Sequence, residues 1–406
     1  MATDYDVIIT GGGMVGACLA VALAETGSRI AIIEAVAPGS VQQPSYDDRG
    51  LALSLSSQRI LQVLGLWDQV SAPANPIRHI HVSDQNHFGF VRLHAETLNL
   101  SALGYVVLAR ELGQVLLDRV NRTGNIDLFC PSQVRAVEIL ENHVTVGIEG
   151  EKNSISLDGE LLVAADGTQS RICELLDINR VVKDYKQTAI VTNITTAKPH
   201  CDTAYERFTR HGPTALLPLS KQRCAAVYTV YREDAETCMK MADEEFIRRL
   251  QENFGYRPGV LSKPGSRKSY PLKLVAARDQ VQHRLVVLGN AAHTIHPNGA
   301  QGFNLCLRDI AGLAEALVPT LRAGADPGQE QVLSRYVKLR ECDQFRIIRF
   351  TDGLVSMFCN DLPQRVVFRN LGMLFVDLCP LLKKTFIRHA TGITGHQPAM
   401  VRGIPL

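Results

Sequence analysis

The chain has 406 residues, 46% of them hydrophobic and 21% charged, with a net charge of +2. That length exceeds one simple core and predicts two or three substructures. The near-neutral balance, with no basic block interleaved with aromatics, argues against a nucleic-acid partner. The ten cysteines stand singly with no C-x-x-C pair, which excludes the usual zinc spacings and a disulfide-reductase dithiol and points to a reducing, cytoplasmic setting. The start, MATDYDVIITGGG, carries acid where a signal peptide needs base. The most apolar stretch, VVFRNLGMLFVDLCPLL, is interrupted by Arg369, Asn370 and Asp377, so no membrane span is expected.

DYDVIIT reads as a short buried strand, and GGGMVG follows at once. Gly11-x-Gly13-x-x-Gly16 opens a predicted helix whose apolar Val15, Leu19 and Leu23 recur at helical spacing, with Gly27 where a helix-ending glycine belongs. RIAIIEA is a second strand, closing on Glu34. The glycines allow a tight turn, close approach of backbone to a pyrophosphate and tight helix–strand packing. The helix N-terminus offers N–H donors to the phosphates. Glu34 is placed to accept hydrogen bonds from an adenosine ribose and to repel a 2′-phosphate. Strand, glycines, helix, strand and acid in that order predict a dinucleotide-binding unit.

Further along, RHIHVSDQNHFGFVRL alternates imperfectly over strand length. LLVAADGTQSR is an apolar run ending in Asp166-Gly167, which is equally the mark of a plain strand-end turn. ERFTRHGPTALLPLSKQRCAAVYTVY reads as two strands around the polar break SKQR. In RLVVLGNAAHTIHPNGAQGFNLCLRD a buried strand gives way to a glycine-rich turn and then to a helix. Gly289 lets the backbone turn, Asn290 can bond a polyol, and Pro297 sits near a helix start, where its missing N–H costs nothing. Phe303, Leu307, Ile310, Leu313 and Leu317 trace one helical face. The loop ending at Gly302 therefore presents a helix N-terminus to something electron-rich, as the pyrimidine edge of a reduced flavin is. The last eighty residues look helical and carry Arg365, Arg369, Lys383, Lys384 and Arg388 among apolar stripes. Such a tail suits either an anionic lipid surface or a solvated face covering the nucleotide domain.

GGGMVG, DGTQS and GNAAHTIHPNGAQGFN, in that order over nearly the whole chain, resemble the class A flavoprotein monooxygenases. The resemblance implies an α/β protein: a Rossmann-like FAD-binding domain, an inserted mainly antiparallel β-sheet substrate domain and a helical C-terminal region. The expected divisions are 1–75, 101–175 and 276–325 for the FAD domain, 76–100 and 176–275 for the substrate sheet, and 326–406 for the helical region. It implies FAD as cofactor and NAD(P)H as a transient co-substrate binding over the flavin. O2 would react through a flavin hydroperoxide that hydroxylates an aromatic ring. Gly11, Gly13, Gly16, Glu34, Asp166, Gly289, Asn290, Gly302 and Asn304 are the implied cofactor residues. Arg49 would lie close to the flavin ring, Arg110 would reach its phosphate or ribityl region, and Pro297 would press on the place of oxygen chemistry. A phenol ionises near ~10, so some group must accept or share its proton; His211, Tyr205 and Tyr270 lie in the presumed substrate sheet, with Phe208 and Leu216 as candidate lining.

Two departures from the family pattern stand out. Asn290 replaces an Asp, and Ala300 replaces a Gly, with Gly299 one position earlier. If position 300 needs positive φ, the alanine is strained there. His293 and His296 have no third ligand nearby in sequence, so no metal site is expected. DDRGLALS, HVSDQNHFGF and YERFTRHGPTALLPLS resemble the ubiquinone-biosynthesis hydroxylases of the 2-polyprenyl-6-methoxyphenol type. That implies a hydrophobic prenylated phenol as substrate, other ubiquinone-biosynthesis proteins as partners, and a site in the cytoplasm peripheral to the inner membrane. Two alternatives remain: a hydroxylase of a small soluble phenolic acid anchored by Arg207 and Arg210, and a non-catalytic flavin-fold subunit.

Overall fold

The structure is a computed structural model and describes residues 3–38, 40, 47–150, 153–359, 362–395 and 397–406. Parallel pairing of the first strand sets its frame. Tyr5–Thr10 lies between Ile30–Ile33 and Ser154–Ala164, with Leu285–Val287 beyond the latter and Ile126–Phe129 beyond the former. Val7, Ile8 and Ile9 are fully buried because both faces of this sheet are covered, so its strands read as continuous apolar runs. The Met14–Ala24 helix is buried from Gly16 to Leu23. Its small side chains let it lie between the sheet and the long Gln301–Arg322 helix, sharing one core with Leu307, Ile310, Leu313 and Leu317.

A second, nine-stranded and mainly antiparallel sheet is built from residues 79–94 and 180–277, joined at one edge by His293–Thr294. On one face Leu216, Ala226, Tyr228 and Val230 pack against the Asp243–Phe254 helix through Phe246, Leu250 and Phe254. The opposite face turns to a small three-stranded sheet of Gly50–Ser54, Asn75–Ile77 and Gly104–Leu108, where Ala204, Leu217 and Ala225 meet Ile77 and Val106. The expectation of two strands around SKQR is corrected to three: Thr203–Thr209, Gly212–Pro218 and Arg223–Tyr231. The chain folds back at Arg210–His211 because Gly212 takes φ +121°, outside the usual range of other residues. RHIHVSDQNHFGFVRL is likewise a hairpin of His79–Asp84 and Phe90–His94.

The C-terminal region is helical over Glu330–Phe358, Pro363–Leu378 and Pro380–Ala390. The Pro363–Leu378 helix is clamped to the second sheet. Arg369 Nε lies 2.8 Å from Asp84, both almost wholly buried, and Asn370 donates to Asp84 at 2.8 Å while accepting from Gly89 N–H at 2.6 Å. Among the described residues no helix is long and apolar enough to cross a membrane.

Candidate active site

The three bends singled out in the sequence meet at neighbouring strand ends. Ala165 N–H donates to Thr10 O and Leu288 N–H to Ala164 O, each at 2.8 Å. Gly11, at φ +94°, approaches so closely that a Cβ there would lie 2.4 Å from Ala165 O. Gly289, at φ +65°, would bring a Cβ to 2.9 Å from Val15 at the first helix's opening turn. The Thr168 and Thr294 hydroxyls share a 2.8 Å hydrogen bond that ties the second bend to the third. Gly13 caps the first helix and Gly16 lies in its first turn. Glu34 is held against the turn, accepting from Gly12 N–H at 2.7 Å and Val36 N–H at 2.8 Å.

At the second bend, Asp166 Oδ2 accepts from Arg171 N–H at 2.7 Å and Ile172 N–H at 3.2 Å, capping a short helix. Its Oδ1 is buried without a partner. At the third, Asn290 is exposed, and Cys306 Sγ approaches its Oδ1 at 3.9 Å. Half-buried Pro297 precedes a turn in which Gly299 and Ala300 both take left-handed φ, +63° and +51°. The condition for strain at Ala300 is thus met, at about 1–2 kcal/mol for a residue with a Cβ. Asn304 keeps the turn in place: Nδ2 donates to Ala300 O at 2.7 Å and Ala52 O at 2.8 Å, and Oδ1 accepts from Ser54 N–H and Ser57 Oγ. Those four bonds saturate the amide. The Asn304 side chain therefore positions the turn.

The residues around these bends fit FAD by two observations, open backbone positions and unmatched buried acceptors. A Cβ on Gly302 would meet nothing nearer than Ile295 at 3.9 Å, and one on Gly167 nothing within 4 Å. Asp166 Oδ1, Asn298 Oδ1 and Gln301 Oε1 are buried without partners. The Gln301–Arg322 helix begins there, and its first N–H groups point out of the helix. Unmatched acceptors suit the hydroxyls of a ribityl chain, and the helix tip suits an electron-rich ring edge.

Behind the third bend runs a buried charge network. His293 Nε2 bonds Asp309, which also receives Arg340 Nε at 2.7 Å; Arg340 and Arg308 then share Asp343, at 2.5 and 2.9 Å. Burial alone would raise the Asp309 carboxyl, but Arg340 and His293 outweigh it and hold it down at about 2. His296 turns elsewhere, to Gln187 Oε1 at 3.2 Å and Asn298 N–H at 3.4 Å, and burial pushes its pKa down to about 4. The two histidines therefore do not face a common point. Among the described residues, the one cluster with the spacing of metal ligands is His79, His94 and Glu96 on the outer hairpin, with ligating atoms within 4.8 Å.

The remaining candidates are dispersed. Arg49 is paired with buried Asp47 at 2.8 Å and stacks 4.9 Å over the Tyr270 ring, whose hydroxyl donates to Asp47 at 2.8 Å. Arg110 is exposed and ion-paired with Asp48. His211 lies edge-on to Tyr231 with ring centres 4.8 Å apart, and its backbone carbonyl accepts from Gln187 at 2.9 Å. Tyr205 meets Phe254 behind the sheet, where Leu216 is fully buried as well, and Phe208 stacks on Phe358 at 3.9 Å. Of the three residues considered for the phenolic proton, Tyr270 is the one bonded to Asp47. What sequence reasoning missed is Glu206, which accepts from Gly299 N–H at 3.0 Å. An acid at an inward position, between Ala204 and Phe208 in strand alternation, was the available signal.

The family described as "FAD binding domain" matches residues 4–350. The chain belongs to that family of flavoprotein monooxygenases. Ubiquinone hydroxylase UbiL of Rhodospirillum rubrum is 36% identical over 404 residues, 99% of this chain and 93% of its own length. The 3-demethoxyubiquinol 3-hydroxylase of Escherichia coli is 29% identical over 96% of this chain and 98% of its own. The p-nitrophenol 4-monooxygenase PnpA of Pseudomonas putida shares the fold, with a TM-score of 0.81 at 17% identity over 98% and 100% of the two chains. In a flavoprotein monooxygenase the bound FAD takes electrons from a nicotinamide and activates O2. This chain's residues supply the rest. The Gly11–Gly16 turn would hold the phosphates, Glu34 the ribose, and Asp166 with Asn290 the polyol. The helix tip at Gly302 would face the ring's pyrimidine edge.

Proposed function

We propose that this FAD-dependent hydroxylase acts on the aromatic ring of a prenylated phenol in ubiquinone biosynthesis, of the 2-polyprenyl-6-methoxyphenol type, using NAD(P)H and O2. The observation that carries the reading is the sheet face turned to the three-stranded sheet. One cross-strand row runs Val82, Glu206, Ala215, Val227, Val191, Lys268. Every member keeps partial solvent exposure although Ala204, Leu217 and Ala225 beside it are buried against Ile77 and Val106, so we take the row as the floor on which a substrate ring would lie. Four of its six side chains are small and apolar. The arginines that would anchor a soluble acid are committed elsewhere: Arg207 donates to Phe254 O behind the sheet, and Arg210 is exposed at the turn with His211. The names of the two relatives above point the same way. We expect NAD(P)H-dependent oxygen uptake by the holoenzyme to rise about tenfold or more with prenylated phenols, as desolvation by an apolar cleft favours them. Mass spectrometry of the product then shows which ring carbon gained oxygen. Stimulation by benzoates alone would defeat this assignment.

Such a substrate resides in a bilayer, and the C-terminal helices offer a surface for one. Val367, Phe368, Leu371, Phe375 and Leu378 are 53–71% exposed along the Pro363–Leu378 helix, and Leu381 on the next helix is 79% exposed. Exposed Arg365, Lys384 and Arg388 accompany them. A clamped helix with an outward apolar face and basic flanks matches an anionic membrane surface, at the periphery of the inner membrane. We expect the protein to float with phosphatidylglycerol-containing vesicles. The Phe368→Ser, Phe375→Ser double variant should lose binding about tenfold or more, because each buried aromatic contributes well over one CH₂ equivalent. Its FAD content should be unchanged. A concentration-dependent dimer abolished by the same variant would assign the face to a second copy instead.

A further inference from the structure

We propose that Glu206 is the catalytic group that accepts the phenolic proton of the substrate. The inference rests on the hydroxylase reading and assigns a residue that neither motif spacing nor the relatives' names identify.

Placement comes first. Within the floor row Glu206 is the one acid, and its carboxylate reaches the third bend, where Gly299 N–H binds one oxygen at 3.0 Å. Gly299 is two residues from Pro297 and three from Gly302, so the carboxylate stands between the floor on which a ring would lie and the loop expected to carry the flavin. Its flanking strands give it only Val82 and Ala215 as cross-strand neighbours. Among the described residues Gly299 N–H is the one hydrogen-bond donor to the carboxylate, which leaves its other oxygen to a ligand.

The surrounding titratable groups do not compete for this role. On the third-bend side lie His296 and, through Tyr185, Asp352, whose carboxylate accepts from the Tyr185 hydroxyl at 3.0 Å. Across the floor, Lys268 and Arg49 share Asp47 with Tyr270. His296 is pushed down to about 4 and Tyr270 up to about 12, both by burial first, so neither titrates near neutrality. Burial raises Glu206 to about 7, with the Gly299 amide opposing the rise. A base with that pKa is ionised for part of the time at neutral pH yet strong enough to share a phenolic proton.

The step balances simply. The phenolic O–H bond breaks, a carboxyl O–H bond forms on Glu206, and the electron pair left on oxygen is delocalised into the ring, which then attacks electrophilic oxygen. Over the cycle, ring–H, O2, NAD(P)H and one proton give ring–OH, NAD(P)+ and water. Glu206 returns its proton to solvent when the ring regains aromaticity.

The test uses Glu206→Gln holoenzyme, in which the amide oxygen still accepts from Gly299 N–H but cannot take a proton. FAD content and the rate of flavin reduction by NAD(P)H should stay within about twofold of the parent, while hydroxylated product falls about 10²–10⁴-fold, the usual worth of a general base. The reducing equivalents should appear as hydrogen peroxide. In the parent enzyme product formation should rise with pH through about 7, where the carboxyl ionises, and that limb should vanish in the variant. A prenylated phenol carrying several ring fluorines, enough to bring its ionisation below neutral pH while leaving the reacting carbon free, should restore product about tenfold or more, since its proton no longer needs an acceptor. Unchanged product yield and pH profile, or absence of rescue, would overturn the proposal. Should the variant fail to retain FAD, the parent enzyme still decides: phenol affinity must strengthen about tenfold between pH 5.5 and 8.5, as a charge-assisted hydrogen bond forms. A flat profile overturns it. A parent enzyme that no phenol stimulates would instead remove the hydroxylase reading, a separate failure.

Discussion

Gly302→Val is expected to give a folded protein without flavin. The nearest atom to a Cβ at that position is 3.9 Å away, and Gly302 lies in the first turn of a helix at an ordinary φ, so the chain itself has room for valine. The room is at the helix tip, where close approach of a ligand to N–H donors leaves no space for branching methyls. FAD affinity should fall at least about 100-fold, the loss of roughly 2.7 kcal/mol, while the flavin-free protein melts within about 2 °C of the flavin-free parent, as expected where the new side chain meets no close neighbour. The ratio of flavin absorbance to protein measures the first and a thermal scan the second. A variant of normal yellow colour would show that the helix tip does not lie against the ring. Gly16 makes the contrast, since a Cβ there would sit 1.9 Å from Gly11 O and disturb the fold itself.

Asp309→Asn is expected to be the most destabilising conservative substitution near the site. Asp309 is fully buried and Arg340 is 1% exposed, so the amide leaves a guanidinium with half its compensation in a medium that cannot hydrate it. Losses of about 3–5 kcal/mol follow when one partner of such a pair is removed. Urea denaturation of the flavin-free protein reads this directly, and pairing the change with Arg340→Met should recover part of the loss because the two effects are not additive. The pH dependence has a definite sign. The carboxyl is held at about 2, below its ordinary 3.8, so its contribution is complete above the ordinary value and is lost as pH falls toward 2. A variant of parental stability would show the network to be dispensable.

The parts of the site legible in the sequence are those whose geometry is local. A glycine turn between strand and helix writes its own requirements within a few residues, and three such turns were read in order and found at adjacent strand ends. The condition set for Ala300 was likewise answerable because φ belongs to one residue. Parity in the second sheet was less legible. Leu216 is expected to line the ring and Tyr205 to stand near its proton, yet both face the helices behind the sheet, since a missed turn at Arg210–His211 removed the anchor for counting alternation. Charges that meet across the fold were not legible at all. His293 seemed to lack an acid because Asp309 reaches it from a buried helix face, and Arg110 shows no sign in sequence of its pairing with Asp48. The bonds of the Asn304 side chain to Ser54, Ser57 and Ala52 were equally hidden, since those residues lie far away in the chain.

The three bends, after residues 10, 164 and 288, belong to neighbouring strands of one sheet. A growing polypeptide therefore cannot present a finished cradle until roughly three-quarters of it has left the ribosome. Until then the Tyr5–Thr10 strand has the Ile30–Ile33 and Ser154–Ala164 strands to pair with, but the Leu285–Val287 strand that completes this side of the sheet is still to come. A dinucleotide held by all three bends would then be captured late in biogenesis and would staple the oldest strand of that sheet to the youngest.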